Sequence, residues 1–359
     1  MRYLYSLAVF IPVALGLDIA DAAPALVFFS AALGVIPTAA LMGEATEHLA
    51  ARSGPGIGGL LNVTFGNAPE LIIAGFALEK GLHEVVKASI VGSVISNILL
   101  VLGVAMLVGG LKNGDQRFSR RMAHAQSAML LLALAALLLP AIFQLSDGGS
   151  LPKVTQARVG FGSDLESLTI GVSVVLLLSY AAGLFFSLKT HREVFNPYAE
   201  EEIAAGTWTV RRSVLLLALA GVLVGVMSEV LVGSIEDASH AVGLSEFFIG
   251  VVVVAIVGNA AEHWVAVLVA FKDKMDLAVN IAVGSSAQVA LFVAPVLALL
   301  SFAVGPEPMA LVFNGYELGA LLFAVLIANY VTVEGESNWF EGVQLLAVYA
   351  VLTLVFVFA

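Results

Sequence analysis

Apolar residues along this chain run together in blocks of about 18 to 28, broken by short polar or Gly/Pro-containing stretches. The blocks fall at about 3–20, 24–51, 58–79, 84–110, 119–145, 166–189, 210–235, 244–271, 277–304, 310–332 and 338–359. Each is long enough to cross the hydrocarbon core as a helix, so the pattern predicts an all-α polytopic membrane protein with eleven transmembrane helices. In the first block Arg2, a short apolar core and Ala20-Asp21-Ala22-Ala23 also fit a cleavable signal peptide. A retained helix is the expectation.

The polar residues inside these blocks are few and repeated. Glu70 sits in Gly66-Asn67-Ala68-Pro69-Glu70, and the run returns as Gly258-Asn259-Ala260-Ala261-Glu262. A carboxylate in hydrocarbon costs on the order of 3 kcal/mol, so an intramembrane acid is a functional-site candidate by default. The same shift of 192 residues lays Val91-Gly92-Ser93 on Val283-Gly284-Ser285, and Ser96 on Gln288. Upstream, Met42-Gly43-Glu44 pairs more weakly with Met227-Ser228-Glu229 at a shift of 185.

The motifs fall on the third and eighth helices, an odd spacing, so those helices run in opposite directions. This predicts one extra N-terminal helix (1–20), two inverted five-helix repeats (24–190 and 210–359) and an acidic linker (191–209) carrying Glu193, Glu200, Glu201 and Glu202. Such a design implies alternating access to a midplane site.

Composition agrees with the pattern. Hydrophobic residues make up 60% of the 359 and charged residues 12%, far from a globular balance. The net charge of −11 excludes a nucleic-acid partner in favour of the lipid bilayer, and the absence of cysteine excludes thiolate chemistry. Assigning loops alternately puts twelve basic residues, from Arg2 and Arg52 to Lys272 and Lys274, on one side, against Lys80, Lys87, Lys153 and Arg158 on the other. That bias places the N-terminus in the cytoplasm and the C-terminus opposite.

The repeated motif supplies hard oxygen donors. Pro69 should open its helix and free carbonyls near residues 65 and 66, while Asn67 and Asn259 place amides one turn from Glu70 and Glu262. Two carboxylates, two amides and several carbonyls suit Ca²⁺, which takes about six to eight oxygens in flexible geometry. Two glutamates balance one divalent cation or two protons, which makes Ca²⁺ and H⁺ competitors for one site. Ser93, Ser96, Ser285 and Ser286 serve equally as packing residues or ligand support, and Gln288 is a bulky amide in a hydroxyl's frame. His263 reads as a hydrogen-bonding partner, and Glu44 and Glu229 as gating or relay acids or as pairing groups near the interface. Glu47 and His48 read as interfacial.

At these residues the chain resembles the Ca²⁺/H⁺ antiporters of the cation/proton exchanger family, within the cation/Ca²⁺ exchanger superfamily. The resemblance covers Gly66–Gly103 and Gly258–Pro295 and extends to the eleven-helix layout and the Gly43-Glu44-Ala45-Thr46-Glu47 run. It implies that Glu70 and Glu262 are the cation-binding acids, that Asn67 and Asn259 flank them, and that Ser93, Ser285 and Gln288 line the site. Glu44 and Glu229 would then belong to the access path, with His263 beside it. It implies transported Ca²⁺ and H⁺. No bound cofactor and no enzymatic activity are expected, a homo-oligomer is a candidate assembly, and the compact loops fit a prokaryotic plasma membrane, with a vacuolar or other organellar membrane as the alternative. One departure is Ala261 in place of Pro69, so the two halves need not open their backbones equally. Related Na⁺/Ca²⁺ exchangers are the alternative reading. A cation channel is the competing class, and no signature of an intramembrane protease is found in the sequence.

Overall fold

The computed structural model describes residues 2–154, 163–191 and 208–359. The acidic run from Glu193 to Glu202 lies outside the described residues. Helices account for nearly all of the described chain: α1 (Tyr3–Ile19), α2 (Pro24–Gly66), α3 (Ala68–Glu79), α4 (His83–Asn113), α5 (Arg120–Ser146), α6 (Asp164–Thr190) and α7 (Val210–Gly233). After the short α8 (Ile235–Val242) come α9 (Glu246–Phe271), α10 (Met275–Leu300), α11 (Gly315–Thr332) and α12 (Trp339–Val357). Among the described residues nine helical spans are long and apolar enough to cross a membrane, and α1 is a shorter apolar helix.

The third predicted span, 58–79, appears in another form. Helical turns continue from Pro24 to Gly66, yet a β-carbon on Gly58 would stand 2.3 Å from the carbonyl oxygen of Ala50. Eight residues of straight helix would separate them by about 12 Å. Ala50 and Gly58 therefore do not lie along one straight helix. The segment breaks at Asn67 before α3 begins.

The chain forms two compact units. The first comprises Met1–Phe76, Ala182–Glu246 and Val257–Ala261. Here α2 packs along α7, with α1 and α8 also against α2. Met42, Ala220 and Val224 form a buried cluster covered by Leu41, Ala68, Ile72 and Leu217. The N-terminal helix belongs to this core, since Ala14 is fully buried and the Tyr5 hydroxyl donates to Glu44 Oε2.

The second unit comprises Ala77–Ala181, Phe247–Ile256 and Glu262–Ala359. In it α4 packs on α12 and on the start of α9, and α5 packs on α11. Gly92 and Gly250 permit the α4–α9 crossing: β-carbons there would stand 2.1 Å from the Val251 carbonyl oxygen and 2.9 Å from Ala88 Cβ. A two-residue antiparallel ladder, β1 (Gln116–Arg117) with β2 (Glu336–Ser337), ties the loop after α4 to the loop before α12. Large apolar side chains such as Leu178, Phe323 and Leu354 are exposed, as a lipid-facing surface requires.

Candidate functional site

The first motif is assembled at a helix break. Asn67 occupies the break and is 1% exposed, while Glu70 stands half-buried in the first turn of α3. The break has a simple cause. Pro69 has no N–H for the carbonyl of Phe65, four residues back, and the N–H of Asn67 takes that carbonyl instead. This corrects the sequence expectation, because the Phe65 oxygen has a partner within the backbone. The ladder resumes with the Leu71 N–H bonding the Asn67 carbonyl at 3.1 Å.

The second motif lies in unbroken helix. Regular α-helix runs from Ala255 to Phe271 through all five motif residues, and Ala261 retains the N–H that Pro69 lacks. The halves thus differ in backbone as the Pro-to-Ala difference predicts. Gly258 faces the first motif: a β-carbon there would stand 3.6 Å from Glu70 Cγ and 3.9 Å from Glu70 Oε1. Asn259 is 1% exposed. Glu262 follows Gly258 by four residues and Asn259 by three, which puts all three on one face of α9.

Within the second unit Glu262 is oriented by α10. Ser285 Oγ donates to Glu262 Oε2 at 2.8 Å. His263, the next residue, engages Asn97 of α4 through Nε2 at 3.0 Å. Asn97 Oδ1 is an acceptor, so Nε2 carries the ring proton in this pair. Ser286 bonds the carbonyls of Ala282 at 2.8 Å and Val94 at 3.3 Å, a packing role for that serine. Ser93 and Ser96 are buried in α4, where the Ser96 hydroxyl donates to the Ser93 carbonyl at 3.3 Å. Gln288 is half-buried in α10.

The repeat reaches the backbone of these helices. α4 contains a π turn at Ser96–Val101 and α10 one at Val289–Val293, which the 192-residue shift superposes on residues 97–101. Such turns are rare and concentrate at functional sites. The upstream acids are less alike. Glu44 receives the Tyr5 hydroxyl and lies 4.0 Å from His48, whereas Glu229 is exposed on α7.

Three groups escaped the sequence reading. Asn97 and Gln126 are amides within apolar runs, the same kind of signal that singled out Gln288. Lys87, counted above with the loops, is only 2% exposed in the first turns of α4. Its Nζ lies 3.9 Å from Glu84 Oε2 and donates to the Val312 carbonyl at 3.3 Å, while Asn314 Nδ2 donates to Glu84 Oε1 at 3.0 Å. Asn314 also caps α11 in a reciprocal box with the fully buried Glu317. The Glu84–Lys87 spacing of three was the readable sign of this buried pair.

A family model for sodium/calcium exchanger proteins matches residues 23–189 and 212–358. The chain belongs to this exchanger family. The exchanger is 44% identical over 353 residues to a Ca²⁺/H⁺ antiporter of Synechocystis sp., covering 92% of this chain and 91% of that protein. It is 45% identical over 327 residues to the Ca²⁺/H⁺ antiporter ChaA of Bacillus subtilis, covering 90% and 89% respectively. Among solved structures, native YfkE superposes with a TM-score of 0.83 at 39% identity over 99% of both chains. The H⁺/Ca²⁺ exchanger CAX shares the fold, with a TM-score of 0.73 at 16% identity, over 99% of the exchanger and 92% of that chain.

Proposed function

We propose that the exchanger is a secondary active antiporter that moves Ca²⁺ out of the cytoplasm in exchange for H⁺ by alternating access, without enzymatic chemistry. The observation that carries this reading is the placement of Gly258 against Glu70, with Glu262 one turn further along the same face of α9. Similarity to Ca²⁺/H⁺ antiporters over nine-tenths of the chain supports the choice of cargo.

Glu70 and Glu262 supply the two charges that balance Ca²⁺, and the amides of Asn67 and Asn259 supply neutral oxygens. Ser285 orients the Glu262 carboxylate, with Ser93 and Gln288 lining the neighbouring helices and His263, Glu44 and Glu229 serving the proton and access path. When Ca²⁺ leaves, protons neutralise the same carboxylates, so exchange follows from charge balance. The basic-residue bias supports a cytoplasmic N-terminus, and the similarity to the Ca²⁺/H⁺ antiporter ChaA of Bacillus subtilis supports a prokaryotic plasma membrane.

Inverted vesicles, whose cytoplasmic face points outward, test this. Ca²⁺ uptake is expected when the lumen is acid, and a protonophore should abolish it. Uptake that survives collapse of the pH gradient but depends on a Na⁺ gradient would assign the protein to Na⁺-coupled exchange instead. Flux that needs no counter-ion gradient would make it a channel.

A further inference from the structure

The two repeats differ in one backbone feature just ahead of the serine that holds Glu262. In α10 a π turn occupies Asn280–Gly284, and Ser285 comes directly after it. The 192-residue shift places this turn on residues 88–92 of α4, which are ordinary α-helix. The second repeat therefore has two π turns around Ser285 where the first has one. An extra residue in a turn rotates the succeeding residues by about 100° around the helix axis, so this turn sets the direction in which Ser285 points.

The side chain that distinguishes the second turn comes from α5, which packs along it. Gln126 is 5% exposed, and its Nε2 donates to Asn280 Oδ1 at 2.5 Å. The same amide fills the space over Gly284, where a β-carbon would stand 2.8 Å from Gln126 Nε2 and 3.3 Å from Asn280 Oδ1. The equivalent residues in the first repeat are Ala88, which has no amide, and Gly92, whose space is taken by the Val251 carbonyl. Backbone packing supports α4 at this point. A side-chain brace supports α10.

We infer that Gln126 is a positioning residue for cation binding: its amide, bonded to Asn280 and seated on Gly284, holds the π turn that aims Ser285 at Glu262. Gln126 itself touches neither carboxylate of the repeated motif in this role and acts through Ser285. The inference rests on the assignment of Glu262 and Ser285 to Ca²⁺ binding.

The test is a mutant cycle read in Ca²⁺ KM and maximal rate, in vesicles carrying equal amounts of folded protein. Ser285→Ala is expected to raise KM about tenfold, the scale of losing a hydrogen bond to a charged group. Gln126→Met, of similar length and without the amide, should raise KM by a similar factor with a smaller effect on maximal rate. Asn280→Ala cuts the same bond from the other side and should reproduce it, which keeps the test open if Gln126→Met folds poorly. In the double variant Gln126→Met/Ser285→Ala the KM should match Ser285→Ala alone. Independent effects that multiply, or a Gln126→Met protein with unchanged KM, would overturn the inference. An unchanged KM in Ser285→Ala would instead overturn the assignment of Ser285 to the cation site.

Discussion

Gly258 leaves the space beside the Glu70 side chain, so the second copy of the motif meets the acid of the first. A methyl group there would sit at ordinary van der Waals distance from Glu70, whereas a branched side chain would have to displace it. Gly258→Ala should therefore retain Ca²⁺ transport, and Gly258→Val should lose most of it while still reaching the membrane. Initial rates of Ca²⁺ uptake, normalised to protein level, check both. Full activity in Gly258→Val would show that Glu70 does not need the position it has.

Each glutamate is expected to be indispensable for exchange and dispensable for folding. Glu70→Gln and Glu262→Gln keep size and hydrogen-bonding capacity but remove one of two charges opposing Ca²⁺ where screening is weak. Exchange should fall to background in both, with gel-filtration behaviour unchanged. Glu44→Gln and Glu229→Gln should slow turnover with less effect on Ca²⁺ binding. Normal exchange by a well-folded Glu262→Gln protein would contradict the proposed site.

Competition between Ca²⁺ and protons fixes the sign of the pH dependence. Protons occupy the carboxylates that Ca²⁺ needs, so Ca²⁺ affinity should fall as pH falls, and binding should release protons. The steepest limit is two protons per Ca²⁺, or about 100-fold in Kd per pH unit. Calorimetry of the purified protein at several pH values measures the slope. With Glu262→Gln the limit should drop to one proton, about tenfold per unit. Affinity that stays flat across pH 5 to 8, a window covering about the range in which buried carboxylates titrate, would route the protons elsewhere.

The buried Glu84–Lys87 pair should matter for stability and not for Ca²⁺. Lys87→Met leaves the buried Glu84 without its nearby cation, a loss on the order of 3 kcal/mol. Asn314→Leu removes both the bond to Glu84 and the cap of α11 and should cost on the order of 2 kcal/mol. Thermal unfolding in detergent should shift down for both variants, while the Ca²⁺ Kd of the folded fraction stays the same. A weakened Kd would connect this cluster to transport.

Much of this protein was legible without coordinates. In lipid every backbone polar group must be satisfied within its own segment, so long apolar runs have few structures open to them, and from the fourth block onward the helices appear close to their predicted bounds. The repeated Gly-Asn-x-x-Glu run singled out Glu70 and Glu262 because a carboxylate in hydrocarbon is too costly to occur twice in register by chance. Pro69 likewise marked the place where the third span breaks. Its missing N–H is a local property, independent of neighbouring helices.

What the tertiary structure decided are the relations that depend on how helices cross. No spacing along the chain says that Gly258 rests against Glu70, that Ser285 turns to Glu262, or that His263 engages Asn97 and not its neighbouring acid. Spacing could pair Glu84 with Lys87, but not bury the pair under Val312 and Asn314 when its position near a helix end suggested a loop. Helix formation is governed by groups a few residues apart and by the solvent around them. The orientation of a side chain at a crossing depends on which helix packs there and on a single added residue in a turn, and those are set by contacts between segments more than a hundred residues apart.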